Sequence, residues 1–80
     1  MDLVVLTETI VKMIVKDTEA VSVKKYEEDD LTHLEIMVNE DDLKRVIGKS
    51  GKTINSIRNI VWASASLNGL NKVKIDVASY

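Results

Sequence analysis

Apolar residues recur along this chain with two different periods, and the alternation between them lays out a single α+β domain. From Leu3 to Lys16 they fall at helical spacing. Leu3, Leu6, Ile10 and Met13 form one stripe, Val4, Val11 and Val15 another, and Asp2 is placed to cap the first turn. Asp17-Thr18-Glu19 breaks the pattern. Two runs rich in β-forming residues follow, Ala20–Tyr26 and Leu31–Val38, separated by the acidic turn Glu27–Asp30, and they read as paired strands. In the second run Leu34, Ile36 and Val38 alternate with His33, Glu35 and Met37, the two-residue period of a sheet buried on one face. Asn39 to Asp42 offers a cap and negative charge to a short helix over Asp42–Ile47, which Gly48 ends. A longer helix is predicted over Lys52–Leu67, with Ile54, Ile57, Val61 and Ala65 on its buried stripe and Asn68-Gly69 as its stop. Val73, Ile75 and Val77 then alternate into a last strand, which leaves Lys72, Lys74 and Asp76 on the outer parity. The order α-β-β-α-α-β predicts a three-stranded sheet with three helices on one face.

Eighty residues make one domain over 1–80, enough for a modest core but not for a deep enclosed cavity, which disfavours a pocket enzyme. Hydrophobic residues at 45% and charged residues at 30% are ordinary globular values and argue against a disordered chain. There is no Cys, so disulfides, thiolate nucleophiles and cysteine-based zinc sites are all excluded. One His and acids gathered in turns frame no nucleophile–base pair, and neither catalysis nor a cofactor is expected. The apolar residues near the N-terminus are interrupted by Thr7, Glu8, Thr9 and Lys12, so neither a signal peptide nor a membrane span fits. The expected setting is cytoplasmic, without a membrane partner.

The chemistry concentrates in Val46-Ile47-Gly48-Lys49-Ser50-Gly51-Lys52-Thr53-Ile54, a two-glycine turn between two helical patterns. Glycines at 48 and 51 lack Cβ atoms, so the main chain can take positive φ and a bulky polyanion can come close to it. Ser50 or Thr53 is placed to cap the helix that follows, whose unpaired N–H groups and positive dipole end favour an anion. Lys49, Ser50 and Lys52 add two cations and a hydroxyl donor.

Charge along the chain is lopsided in the same sense. Leu43 to Ile75 holds seven basic residues (Lys44, Arg45, Lys49, Lys52, Arg58, Lys72, Lys74) and no acid, whereas Met1 to Asp42 holds four basic and twelve acidic residues. With Asp76 included, the second part carries +6 against −8 for the first, which accounts for the net −2. A docking polyanion senses the potential near its site more than the global sum.

Two phosphate-binding alternatives fail on spacing. Gly51-Lys52-Thr53 resembles the end of a Walker A loop, but the first glycine of that motif would fall at Val46, and a helix rather than a strand feeds the turn. The dinucleotide fingerprint also needs a glycine at Val46.

The string Val-Ile-Gly-Lys-Ser-Gly-Lys-Thr-Ile at 46–54 resembles the Val-Ile-Gly-x-x-Gly-x-x-Ile core of KH domains. The element order resembles the type II, prokaryotic form, and the whole chain is similar to the small bacterial KhpA-family RNA-binding proteins. One departure is Lys44, where many members carry Gly. The resemblance implies that Gly48, Lys49, Ser50 and Gly51 contact the sugar-phosphate backbone of single-stranded RNA. It also implies that Val46, Ile47 and Ile54, with an edge of the second strand, line an apolar groove for the bases, and that Arg45, Lys52 and Arg58 flank the strand. The role it implies is an RNA chaperone or post-transcriptional regulator linked to cell-envelope growth and cell shape. The alternative is a protein-interaction module with the same fold and little RNA affinity.

Other side chains read more plainly. Val46, Ile47, Ile54 and Ile57 suit a core as well as a groove wall, Arg58 suits a surface pair as well as a ligand contact, and Trp62 suits half-buried packing more than base stacking. His33, on an outer strand position, is expected at the surface. The first helix is apolar around more of its circumference than one small core requires, which suits either a deep seat against the sheet and third helix or dimerisation, with itself or with another KH-containing protein; the family resemblance implies a larger, KhpB-like KH protein as that partner.

Overall fold

The computed structural model describes residues 2–80. Helix α1 (Leu3–Lys12) is followed by a single 3-10 turn at Thr18–Ala20, strands β1 (Ser22–Glu28) and β2 (Leu31–Val38), and a second 3-10 turn at Glu40–Asp42. Helix α2 (Leu43–Ile47), a third 3-10 turn (Lys49–Gly51), helix α3 (Lys52–Leu67) and strand β3 (Val73–Ser79) complete the α-β-β-α-α-β order. The three strands form one mixed sheet with β2 in the centre: β1 pairs with it antiparallel, Tyr26 opposite His33, and β3 pairs with it parallel, Ile75 opposite Leu34.

The two-residue period of β2 is realised strictly. Leu34, Ile36 and Val38 are fully buried on the helix-covered face, where they meet Val11, Val46, Ile57, Val61, Ala65 and Ile75 in one core. Each Val, Leu or Ile among them contributes about 1.5–3 kcal/mol by leaving water. On the open face His33 Nε2 lies 3.0 Å from Asp76 Oδ2, and the His33 ring stands 6.1 Å from that of Tyr26. His33 is therefore half-buried within a polar surface rather than free on it.

Boundaries depart from expectation where tertiary partners compete for backbone groups. Asp2 caps α1 as anticipated, accepting from the N–H of Val4 at 2.8 Å and of Val5 at 3.4 Å. The helix ends at Lys12 instead of Lys16. Its last turn tightens, Met13 donating to Ile10 and Ile14 to Val11, and the N–H groups of Lys16 and Asp17 turn to the carboxylate of Asp42, each at 3.0 Å. Strand β1 starts two residues later than expected because Thr18–Ala20 coils first. It also runs two residues further, because the hairpin turns on Asp29-Asp30 alone, with Asp29 in the left-handed region at φ 53°. Helix α2 starts one residue late, after a 3-10 turn whose Asn39 side chain caps Asp41 N–H at 3.0 Å.

Asp42 ties the end of α1 to the start of α2. It is buried, and its pKa is lowered chiefly by the N–H groups of Lys16 and then Asp17, with help from Arg45, whose Nε lies 3.3 Å from Oδ1; burial opposes these. A carboxylate whose folded pKa lies below its unfolded value of 3.8 stabilises the fold at all pH above that value, and the contribution fades as pH falls through the folded pKa. Urea unfolding between pH 2 and 7 is expected to show stability falling below about pH 4, with a smaller fall in Asp42→Asn.

Thr7 is the opposite case, a fully buried hydroxyl on α1 with no hydrogen-bond partner. Valine has the same shape without the orphan group. Thr7→Val is expected to raise unfolding stability by about 1 kcal/mol, read as a higher urea midpoint at unchanged slope.

Candidate nucleic-acid interface

The loop between α2 and α3 is built from left-handed residues. Gly48 has φ 76° and ψ 173°, Ser50 φ 56° and ψ 26°, and Gly51 φ 77° and ψ 11°. The N–H of Gly48 closes α2 on Lys44 O at 2.8 Å, and Gly51 N–H returns to Gly48 O at 3.2 Å. The N-cap position of α3 is Gly51, which has no side chain, so neither Ser50 nor Thr53 caps this helix as expected. Thr53 instead packs under Gly48: a Cβ at position 48 would collide with its Oγ1 and come within 2.7 Å of its Cβ. Gly51 has open space, the nearest group to such a Cβ being Asn55 Nδ2 at 3.7 Å. The two glycines are thus required for different reasons, Gly48 for room and conformation, Gly51 for conformation alone.

Lys49, Ser50 and Lys52 are exposed around this loop, as are Lys44 and Arg45 on α2. Lys44, Lys49 and Lys52 make no ion pair among the described residues, so their charge is unopposed at short range. Arg45 is shared with Asp42. Surface hollows lie by the β1–β2 hairpin, between the end of α3 and the start of β3, and beside Asp42, and the loop lines none of these. A site that works through main-chain groups on a polyanion needs approach, not enclosure.

Of the expected apolar wall, Val46 and Ile54 are buried in the core beneath the loop, and only Ile47 keeps surface. The expected edge of β2 does not exist, since β2 is hydrogen-bonded on both sides; the free edge near α3 belongs to β3. Thr32 N–H donates to Lys72 O and Tyr80 N–H to Val38 O, so even-numbered residues of β3 face β2 and odd-numbered ones turn their backbone groups outward. Two of those outward carbonyls are taken by α3. Arg58 Nε donates to Ile75 O at 3.0 Å, and Trp62 Nε1 donates to Val73 O at 2.8 Å. Arg58 also donates to Asn55 Oδ1 at 3.0 Å and stands 3.9 Å from Asp76 Oδ1. It is a latch between α3 and β3 set back from the loop, and Trp62 is a second latch with an exposed ring. Neither bond is visible in the sequence. The side chains' spacing of four on one helix face was the available signal, but the acceptor strand is a tertiary fact.

These latches also show that α3 runs antiparallel to β3. The basic loop therefore lies at the Val38/Ser79 end of the sheet, and the acidic hairpin Glu27–Asp30 at the other, about 24 Å away by the rise of sixteen helical residues. Acids share the loop's end of the sheet as well, since Glu40, Asp41 and Asp42 follow directly on β2 and Asp17 is bonded to Asp42 and Asn39.

Residues 5–77 match the family model described as "KhpA/KhpB, KH domain". The chain belongs to this family. Among curated relatives, RNA-binding protein KhpA of Thermotoga maritima is 39% identical over 72 residues, covering 90% of this chain and 93% of that protein. RNA-binding protein KhpA of Halalkalibacterium halodurans is 32% identical with the same coverage. Among solved structures, Era in complex with MgGDPNP and a segment of 16S ribosomal RNA superposes with TM-score 0.72 at 18% identity, over 96% of this chain and 29% of Era. That likeness shows the fold alone.

The glycine geometry sets an order of effects. Gly48→Ala is expected to cost about 2 kcal/mol or more, by collision with Thr53 and positive φ together, whereas Gly51→Asn should cost about 1 kcal/mol or less because Asn tolerates the left-handed region. Thermal unfolding of the two variants checks the ranking.

Proposed function

We propose that this chain binds single-stranded RNA, with the turn Gly48-Lys49-Ser50-Gly51 gripping the sugar-phosphate backbone. The observation that carries the reading is a thin main-chain loop, left-handed at 48, 50 and 51, that carries Lys49 and is followed by Lys52 at the start of α3, neither in an ion pair among the described residues. Relatives similar over nine-tenths of the chain are named RNA-binding proteins. In this reading Lys49 and Lys52 neutralise phosphates, Arg45 and Arg58 flank the strand, and Ile47 offers apolar surface to a base while Val46 and Ile54 hold the loop from beneath. The bound segment lies along α2, α3 and the β3 margin rather than against β2.

Binding of this kind supports work as an RNA chaperone or post-transcriptional regulator in the cytoplasm, and the family resemblance extends the proposal to control of cell envelope and cell shape. The chain carries no catalysis in this reading. Val5 and Met13, at 57% and 80% exposure on or just beyond α1, favour an added role in association, as a homodimer or with a KhpB-like KH protein.

Salt dependence and a loop variant test the grip. With about three phosphates neutralised, log affinity for a short unpaired RNA should fall against log salt with a slope of roughly −2. The double variant Lys49→Asp/Ser50→Asp keeps the fold, because both positions are exposed and Asp tolerates the left-handed conformation of Ser50, and it should abolish binding by repulsion. Fluorescence anisotropy showing undiminished affinity in this variant would refute the loop as the binding element.

A further inference from the structure

One margin of the sheet is bare. Strand β1 is an edge strand, and Lys24, Lys25, Tyr26, Glu27 and Glu28 are all exposed along it. On the helix side the cover stops short of this stretch: Lys25 and Glu27 are exposed although Leu34 and Thr32, their partners on β2, are buried. A free strand edge is a template for another strand, and lysines on such an edge ordinarily discourage pairing.

Here the charges are arranged in a way that selects one pairing instead. Lys-Lys-Tyr-Glu-Glu is antisymmetric about Tyr26. If a second copy approaches antiparallel with its Tyr26 opposite this one, Lys24 meets Glu28, Lys25 meets Glu27, and the same two pairs recur on the far side of the axis. Opposite charges directly across an antiparallel ladder stabilise it, and like charges oppose it. A two-fold axis normal to the sheet keeps each residue on its own face, so only registers centred on a residue are allowed. Centring on Lys24 or Lys25 sets that lysine against itself, and centring on Glu27 or Glu28 does the same with a glutamate. Parallel in-register pairing matches like with like throughout. Tyr26 is the only centre in Lys24–Glu28 free of like-charge opposition.

We propose that the β1 edge is a self-association surface, on which two copies of this chain pair antiparallel about Tyr26 to form one six-stranded sheet. The interface is isologous, as closed dimers require. On the open face the two Tyr26 rings meet at the axis, each continuing to its own His33, whose ring lies 6.1 Å away. On the helix face the intrachain Lys25–Glu27 contact of 3.1 Å, both groups about half exposed, exchanges for two contacts across the axis. The proposal deepens the association reading above and rests on it for the existence of a dimer, but names a surface distinct from α1.

Because the chain has no cysteine, an introduced one reports only its own position. Antiparallel neighbours stand about 4.5–5.5 Å apart between Cα atoms, within the span of a disulfide. Under mild oxidation Tyr26→Cys should couple to itself at least about tenfold faster than Lys74→Cys, a control on the same face at the opposite margin, because the dimer raises its effective concentration. Lys24→Cys mixed with Glu28→Cys should couple faster than either alone. Lys24→Glu/Lys25→Glu should shift sedimentation toward monomer, and adding Glu27→Lys/Glu28→Lys should restore the dimer. A dimer by sedimentation in which Tyr26→Cys couples no faster than the control, and the mixture no faster than its parts, would overturn this surface while leaving association standing. A monomer at every concentration up to the millimolar range would overturn both.

Discussion

The parallel pairing of β2 with β3 is the constraint on which the rest of this molecule depends. Parallel neighbours cannot be joined by a hairpin, so the chain must leave the end of one strand and travel back to the start of the next. Here the return is α3, whose sixteen residues rise about 24 Å, close to the roughly 23 Å that seven residues of β3 cover in the other direction. The return stroke is thus used up by the helix alone. What remains of the connection, α2 and the glycine loop, gathers at the Val38/Ser79 end, with α2 packed against β3 and its Val46 in the core, and with the loop held out at one pole of the domain.

That geometry explains why the same short segment is both fixed and open. Val46 and Ile54, on either side of the loop, are sunk in the core and hold its two ends, and Thr53 fills the space under Gly48. Between these anchors the chain takes left-handed conformations that leave Lys49 and Ser50 facing water. Residues that define the loop's shape and residues that could meet a ligand are therefore different ones, although they alternate within nine positions.

Much of this was legible in the sequence, and the reason differs from element to element. Strand β2 and helix α3 were bounded correctly because their periods are strict and their stops, Asn39 and Asn68-Gly69, are local signals. The end of α1 was misjudged by four residues because the group that unwinds it, Asp42, lies twenty-six positions on from Lys16. The loop was recognisable from Gly48 and Gly51, yet which glycine is sterically obligatory depends on where Thr53 packs. Alternation identified the buried face of β2 but carried no information on strand order, so the sheet edge beside α3 was assigned to β2 when it belongs to β3. Arg58 and Trp62 were visible as candidates and invisible as latches, since a backbone carbonyl leaves no trace in residue identity.

The two margins of the sheet are unequal. Along β3, the carbonyls of Val73 and Ile75 are stapled by the helix's own Trp62 and Arg58. Along β1, no comparable staple restrains Lys24–Glu28 among the described residues. In the proposed dimer both outer margins are β3 edges, on which Trp62 and Arg58 already occupy two of the outward carbonyls, so a further copy meets a less open template there. In that dimer the indole and guanidinium that hold α3 in place would also work against growth into a fibre.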